Sequence, residues 1–252
     1  MADMYDYPEI YDERFTEAAN TAYREHYRKL LDGCDIHDIL DCSFGTGNLT
    51  FELCELGYNV WGSDISQSML EQGAKKAATM GFDVPLVQAD FRELSAHFDR
   101  TFDCVMSTGS ALGHVDNAGV VKALTEMDKL VHTGGYLYLD TRNWDMELCN
   151  KKHIQFAHPY DRENGERIHM VQVWEYPPDG TIRINICQAY ERDKKIYQQE
   201  IFEEVLTPFS IDLLTDTLTK LGYRDIVIKP LPYFHDMDFM DIPWYCLRAQ
   251  KA

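Results

Sequence analysis

Positive charge is scarce in this chain. Its 252 residues include 24 Lys and Arg against 42 Asp and Glu, a formal net charge of −18. A phosphate-backbone partner needs a clustered basic surface, so nucleic acid is not expected as a partner. The acids are spread along the chain, and most read as a solvated face. Long apolar runs are also missing. None is long enough to span a bilayer, and no charged-then-apolar leader opens the chain. No membrane partner and a cytoplasmic location are therefore expected. Cysteine pairs are absent too. The seven cysteines (Cys34, Cys42, Cys54, Cys104, Cys149, Cys187 and Cys246) form no CxxC, which points to free thiols in a reducing compartment rather than a disulfide frame or a zinc site. There is no metal-ligand cluster, catalytic triad, internal repeat or low-complexity linker, and no metal is expected.

What remains is an alternation of strand-like and helix-like segments. Thr16 to Leu31 reads as a helix, Ile36 to Asp41 as a strand and Asn48 to Leu56 as a helix. Tyr58 to Asp64 is the next strand, and Ser66 caps a helix running to about Met80. Strands at Val84 to Asp90, Phe102 to Thr108 and Tyr136 to Asp140 follow, with a helix over Ala118 to Val131. Strands alternating with helices at this spacing predict βαβ units and a parallel sheet. The second half changes to long period-two strands within Arg167 to Val205, broken by the turn Pro177 to Gly180, which predicts an antiparallel insert. A helix over Pro208 to Tyr223 and strands at Asp225 to Ile228 and Pro243 to Ala249 complete the set.

The stretch ILDCSFGTGNLT, Ile39 to Thr50, runs a strand into a loop with Gly45 and Gly47 and then into a helix start. Backbone can approach a ligand closely there. Asp64 ends the next strand, where an acid can take ribose hydroxyls, and Asp90 ends the third. A dinucleotide fingerprint would carry a third glycine where Thr50 stands. The series Asp41, Asp64, Asp90 in phase with the glycines favours S-adenosylmethionine over a dinucleotide.

At these residues the chain resembles the class I S-adenosylmethionine-dependent methyltransferases, from about Tyr11 to its C-terminus, with Ser43 where that family usually has glycine. The resemblance implies an α/β fold: a Rossmann-like seven-stranded sheet with helices on both faces and an antiparallel insert over the active site. It implies one domain over 1–252: an N-terminal helical cap at 1–35, a cofactor core at 36–141, a substrate side at 142–207 and closing elements at 208–252. It implies that Gly45 and Gly47 pass under the methionine part of the cofactor, with Asp41 near its ammonium and Asp64 on the ribose. Asp90 and Phe91 would meet the adenine, and Ile65 and Met69 the adenosine. Ser43, Ala89, Ser107, Tyr11 and Tyr23 complete the expected cofactor shell.

Three further stretches, TGSALGHV (Thr108 to Val115), GGYLYLDTRNWD (Gly134 to Asp145) and IPWYCLRA, are similar to the glycine N-methyltransferases and related small-molecule N-methyltransferases. This implies a small methyl acceptor, an amine or amino acid, with an oxygen acceptor or a catalytically silent regulatory protein as alternatives. A homo-oligomer is possible. Arg142, at the rim after the fifth strand, offers a planar fork to a carboxylate; a structural ion pair with Asp140 or Asp145 is the competing use. His114 is a candidate to take a proton or orient the acceptor. Ser110, Asn143, Trp144 and Tyr233 are expected around the acceptor. Ser110 stands where the glycine enzymes commonly carry asparagine, and EAANTAY before Tyr23 lacks their arginines.

Overall fold

The computed structural model describes residues 4–13, 15–162, 164–231 and 238–252. Two short helices open it, α1 (Pro8–Asp12) and α2 (Glu17–Leu30), after a 3-10 turn at Met4–Asp6. The alternating half follows: β1 (Asp38–Asp41), α3 (Phe51–Glu55), β2 (Asn59–Asp64), α4 (Gln67–Met80), β3 (Leu86–Gln88), β4 (Phe102–Ser107), α5 (Asn117–Leu130) and β5 (Val131–Arg142). Helix α6 (Trp144–Asn150) leads into the insert, with short strands β6 (Ile154–Phe156) and β7 (Tyr160–Asp161) before the long β8 (Arg167–Glu175), β9 (Ile182–Arg192) and β10 (Lys195–Leu206). Helix α7 (Ile211–Lys220), β11 (Tyr223–Pro230) and β12 (Trp244–Lys251) close the chain.

The main sheet has seven strands in the order β11-β12-β5-β4-β1-β2-β3. β1 to β5 are parallel, and β12 is antiparallel to both β5 and β11. β1 and β4 are buried almost throughout, as central parallel strands covered on both faces must be. The order reverses between β1 and β4, so a crevice opens at their C-terminal ends, where open α/β sheets hold ligands.

Local chemistry sets the helix ends. The Ser66 hydroxyl accepts from the Met69 N–H at the start of α4, and Gly81 ends that helix in the left-handed conformation. Asp116 caps α5 and Ser210 caps α7 in the same way. The third element is shorter than its pattern suggests. Residues 48–50 form a turn and α3 begins only at Phe51, because the Thr50 hydroxyl is drawn to Asp41. The pattern also missed α6, whose first turn is capped by Asn143.

The insert forms a second, antiparallel sheet in the order β10-β9-β8-β6, with β7 also on β8. Its inner residues Trp174, Ile182, Ile184, Ile186, Phe202 and Leu206 belong to one apolar cluster with Leu40, Val105 and Leu139 of the main sheet. The insert is thus packed onto the core as a cover. Arg162 ties it to the N-terminal segment, bonding Glu166 at 2.9 Å and Glu13 at 2.6 Å. No helix among the described residues is long and apolar enough to cross a membrane.

Asp140, near the end of β5, is a strongly perturbed acid of this core. Its Oδ1 accepts the Gly109 N–H at 2.7 Å, and the Tyr138 hydroxyl donates to Oδ2 at 3.4 Å. Burial outweighs these bonds and, with the nearby charge of Asp41, pushes the carboxyl up to about 7. In the unfolded chain such an acid ionises near 3.9, at about the ordinary Asp value. Between those values the folded state holds more protons, so this group's contribution to stability falls as pH rises from about 4 to about 7 and is flat above. An Asp140→Asn variant keeps the acceptor for Gly109 and should lack this decline. Thermal unfolding across pH 4 to 8 checks it: the stability difference between the two proteins should drift by up to roughly 1.4 kcal/mol per pH unit within the window. Parallel curves would show that Asp140 does not carry the shift.

Candidate functional site

The crevice at the C-terminal ends of β1, β2 and β4 is a cavity of about 440 Å³, walled by residues 42–46 of the glycine loop, Asp64 to Ser66, Asp90 to Arg92, and the 108–115 turn. A second space of about 370 Å³ adjoins it under the cover. Tyr5, Tyr11, Leu49, Gly109 and His114 line both, so the two are halves of one site joined at those residues.

The loop that forms the first half is held from behind. Asp41 is fully buried, and it accepts from the Ser43 N–H at 3.0 Å, the Thr50 hydroxyl at 2.6 Å and the Thr108 hydroxyl at 2.9 Å. Burial raises its pKa, against the pull of these bonds. Thr50, in place of a third glycine, is thereby given a use: it locks the start of α3 to the end of β1. Gly47 sits at φ +81, and an added Cβ there would lie 2.5 Å from the Phe51 ring. Asp64 accepts the Gly45 N–H at 2.8 Å and the Ser66 N–H at 2.9 Å, and lines the cavity. Burial raises its pKa as well. Asp90 is bound side-on by Arg92, which lowers its pKa.

The N-terminal segment covers this half. Asp12 at the end of α1 accepts from Thr46 at 2.5 Å, Asn48 at 2.7 Å, Gln72 at 3.1 Å and Lys76 at 3.0 Å, so it pins α1 to the glycine loop and α4 together. That places Tyr5 over the junction, where its hydroxyl meets His114 Nε2 at 3.1 Å.

The second half contains Arg142, Glu204, Tyr23, Phe15, Ser110 and Trp244. The Arg142 guanidinium lies 5.1 Å from the Trp174 ring and 4.8 Å from that of Trp244. Ser110 takes the left-handed conformation at φ +62, uncommon for a side chain of its kind, and its hydroxyl accepts the Arg142 N–H at 3.2 Å. The turn after β4 is thus bonded to the backbone of the residue that carries the fork.

Of the residues expected from sequence, Ser43, Gly45, Asp64, Ile65, Met69, Asp90, Phe91, Tyr11 and His114 line the first half. Tyr23, Ser110 and Arg142 line the second. Asp41 lies behind the loop because its oxygens are filled by the loop's own donors. Gly47 is turned against Phe44 and Phe51 rather than into the cavity. Ala89 and Ser107 are buried and off the cavity wall. Asn143 caps α6 and donates to the Phe239 carbonyl at 2.7 Å, and Trp144 is core beneath Gly113, so neither reaches the acceptor space. Asp140 and Asp145, the other proposed partners of Arg142, are used by the N–H groups of Gly109 and Ile211. Tyr233 lies outside the described residues. Tyr5 and Asp6 had no periodic signal to mark them. Glu204 had one: it is an acid in phase with the buried Phe202 and Leu206 on an alternating strand.

Among the described residues no group of three or more His, Cys, Asp or Glu could hold a metal ion. Residues 39–135 match the model of a methyltransferase domain family. A glycine/sarcosine N-methyltransferase of Aphanothece halophytica is 27% identical over 228 residues, 88% of this chain and 81% of that protein. Among solved structures, an S-adenosylmethionine-dependent methyltransferase from Clostridium acetobutylicum is similar with a TM-score of 0.75 at 19% identity, over 98% of each chain. CalS10, an amino pentose methyltransferase from Micromonospora echinaspora, has a TM-score of 0.73 at 16% identity, covering 100% of this chain and 98% of that one. The domain match spans the half that builds the glycine loop, and the other likenesses run nearly end to end. Residues 39–135 are thus a methyltransferase domain, and the chain has the fold of the S-adenosylmethionine-dependent methyltransferases.

Proposed function

We propose that the acceptor is a small amine carrying a carboxylate, an amino acid in the simplest case, and that it is methylated on nitrogen. The observation that carries this reading is Arg142, which lines the acceptor half of the site with its guanidinium near the rings of Trp174 and Trp244. Aromatic rings beside a guanidinium hold its plane, and its planar fork matches a carboxylate. The names of the similar enzymes, glycine/sarcosine N-methyltransferase and amino pentose methyltransferase, agree with a nitrogen acceptor.

The cofactor residues fit the group. When bound, S-adenosylmethionine supplies a methyl already activated by its sulfonium. Asp64, with one lone pair of each oxygen used by backbone N–H groups, keeps the others for ribose hydroxyls. Phe91, Ile65 and Met69 provide the apolar side of the adenosine space. Backbone at Ser43 to Thr46 faces the methionine part. The protein's remaining task is to hold a neutral amine in line at near-attack distance, about 3–3.5 Å, and the cover sheet with the N-terminal segment keeps water out. His114, bonded to Tyr5 at the junction, stands where it can orient the acceptor nitrogen.

Asp64→Ala should weaken S-adenosylmethionine binding at least tenfold, since charge-assisted bonds to the ribose are worth roughly 1.5–3 kcal/mol. Calorimetry on the folded variant checks this, and unchanged affinity would remove Asp64 from the cofactor site. Arg142→Ala should lower kcat/KM for carboxylate-bearing amines by about ten- to a hundredfold, by the same size of interaction. Arg142→Lys should recover only part, because a point charge does not reproduce the fork. Cofactor affinity and turnover of a carboxylate-free amine should stay near wild type. If instead both variants chiefly lower Tm and depress all acceptors alike, Arg142 is structural.

A further inference from the structure

We propose that Glu204 binds the amino group of the acceptor, so that the site selects a zwitterion with its two charges read from opposite sides. This rests on the amino-acid reading above and adds a second determinant to it. Glu204 is the one acid on the wall of the acceptor half among the described residues. It is half-buried on the inner face of β10, in phase with Phe202 and Leu206. The acids around it on the strand are engaged: Glu200 by the Tyr190 hydroxyl and Glu203 by Arg183. The Glu204 carboxylate makes no hydrogen bond or ion pair among the described residues. A carboxylate drawn part-way out of water and left without a partner is unfavourable unless a cation arrives to face it.

Strand register relates it to Arg142. Glu204 of β10 is paired with Ile184 of β9, and Ile184 is paired with Trp174 of β8. Cross-strand partners point to the same face, so Trp174, Ile184 and Glu204 form one row, with Trp174 and Glu204 two strand spacings apart, about 9–10 Å. The Arg142 guanidinium lies against the ring of Trp174 at the far end of that row. The cation and the acid therefore do not pair with each other, yet both border the same 370 Å³ space. A molecule that fits between them bonds its carboxylate to Arg142 and its ammonium to Glu204, at about 2.7–2.9 Å for each charge-assisted bond. The ammonium then gives up one proton, with the Glu204 carboxylate in reach to take it, so that the neutral amine is what meets the methyl group. That spacing suits a short linker between amine and carboxylate. A phenol or a plain carboxylic acid would leave Glu204 facing a neutral or like-charged group, which is rejection built into the wall.

The test compares wild type with Glu204→Gln and Glu204→Asp, each checked for unchanged Tm. The probes are the common amino acids, methylamine and acetate. S-adenosylhomocysteine release gives turnover, and calorimetry in the presence of S-adenosylhomocysteine gives acceptor binding. For the amino acid that wild type methylates best, Glu204→Gln should weaken binding and raise KM at least tenfold, with Glu204→Asp partly restoring both. Affinity for S-adenosylhomocysteine should stay within twofold of wild type. Acetate binding should weaken in Arg142→Ala and should not weaken in Glu204→Gln, which removes the like charge. If an amino acid is methylated and Glu204→Gln binds it as well as wild type does, the assignment to Glu204 is overturned while the amino-acid reading stands. If wild type methylates no amino acid, the reading itself falls and this assignment with it.

Discussion

A fully enclosed carboxylate, Asp41, sets the shape of the site. Removing a charge from water is costly unless donors fill its lone pairs. Here those donors come from three separate places: the residue two positions on, the turn before α3 and the end of β4. Because all must meet one group, the glycine loop has one conformation, and its backbone faces the cavity at Ser43 to Thr46. Asp140 does the same service for Gly109, and Asp64 for Gly45. The acids at the strand ends thus hold loops, and only Asp64 and Asp90 also reach the wall. Asp41 and Asp140 are near enough for each other's charge to matter, which is part of why Asp140 resists ionisation.

Most of the parallel half was legible because its signals are local. Strand, loop and cap succeed one another at short range, so Asp41, Gly45, Gly47, Asp64 and Ser66 could be assigned from their neighbours. What an acid does with its lone pairs was not legible, since that depends on groups far along the chain, such as Thr108 for Asp41 and Gly109 for Asp140. Asn143 and Trp144 line neither half, for a related reason. They follow Arg142 directly, but the chain turns into α6 there, and the turn points one into a cap and the other into the core. Tyr5 comes from the N-terminal segment and Glu204 from the cover sheet, and no short-range pattern joins them. Phase alone marked Glu204, through Phe202 and Leu206.

The two halves of the site have different origins. The cofactor half is built by the parallel core, whose loops are fixed by buried acids. The acceptor half is built by the ends of β5 and β12, the cover sheet and the N-terminal segment. Such a division would let acceptor choice change through the cover without altering the loops of the parallel core, as with other folds whose function lies in grafted sites. The halves are still mechanically joined. Ser110 bonds the backbone of Arg142 from the turn that also contains His114, and the Thr207 N–H bonds the Gly113 carbonyl at 2.7 Å. A shift of that turn would move the fork, the histidine and the end of β10 together.

The overall charge fits the same chemistry. A protein of net charge −18 sets up a negative potential that draws cations and repels anions at distances up to about a Debye length, about 8 Å at physiological salt. S-adenosylmethionine carries a net positive charge and its product does not, so this field favours entry of the one and departure of the other. A zwitterionic acceptor has no net charge and meets no barrier from the field, whereas a simple carboxylate would be held off before reaching Arg142. On the amino-acid reading, the Arg142 guanidinium, kept beside two tryptophans, would discriminate by orientation rather than by attraction over distance. On that reading, affinity for the acceptor would come from contacts inside the cavity, and the few charged groups on its wall would carry much of the selectivity.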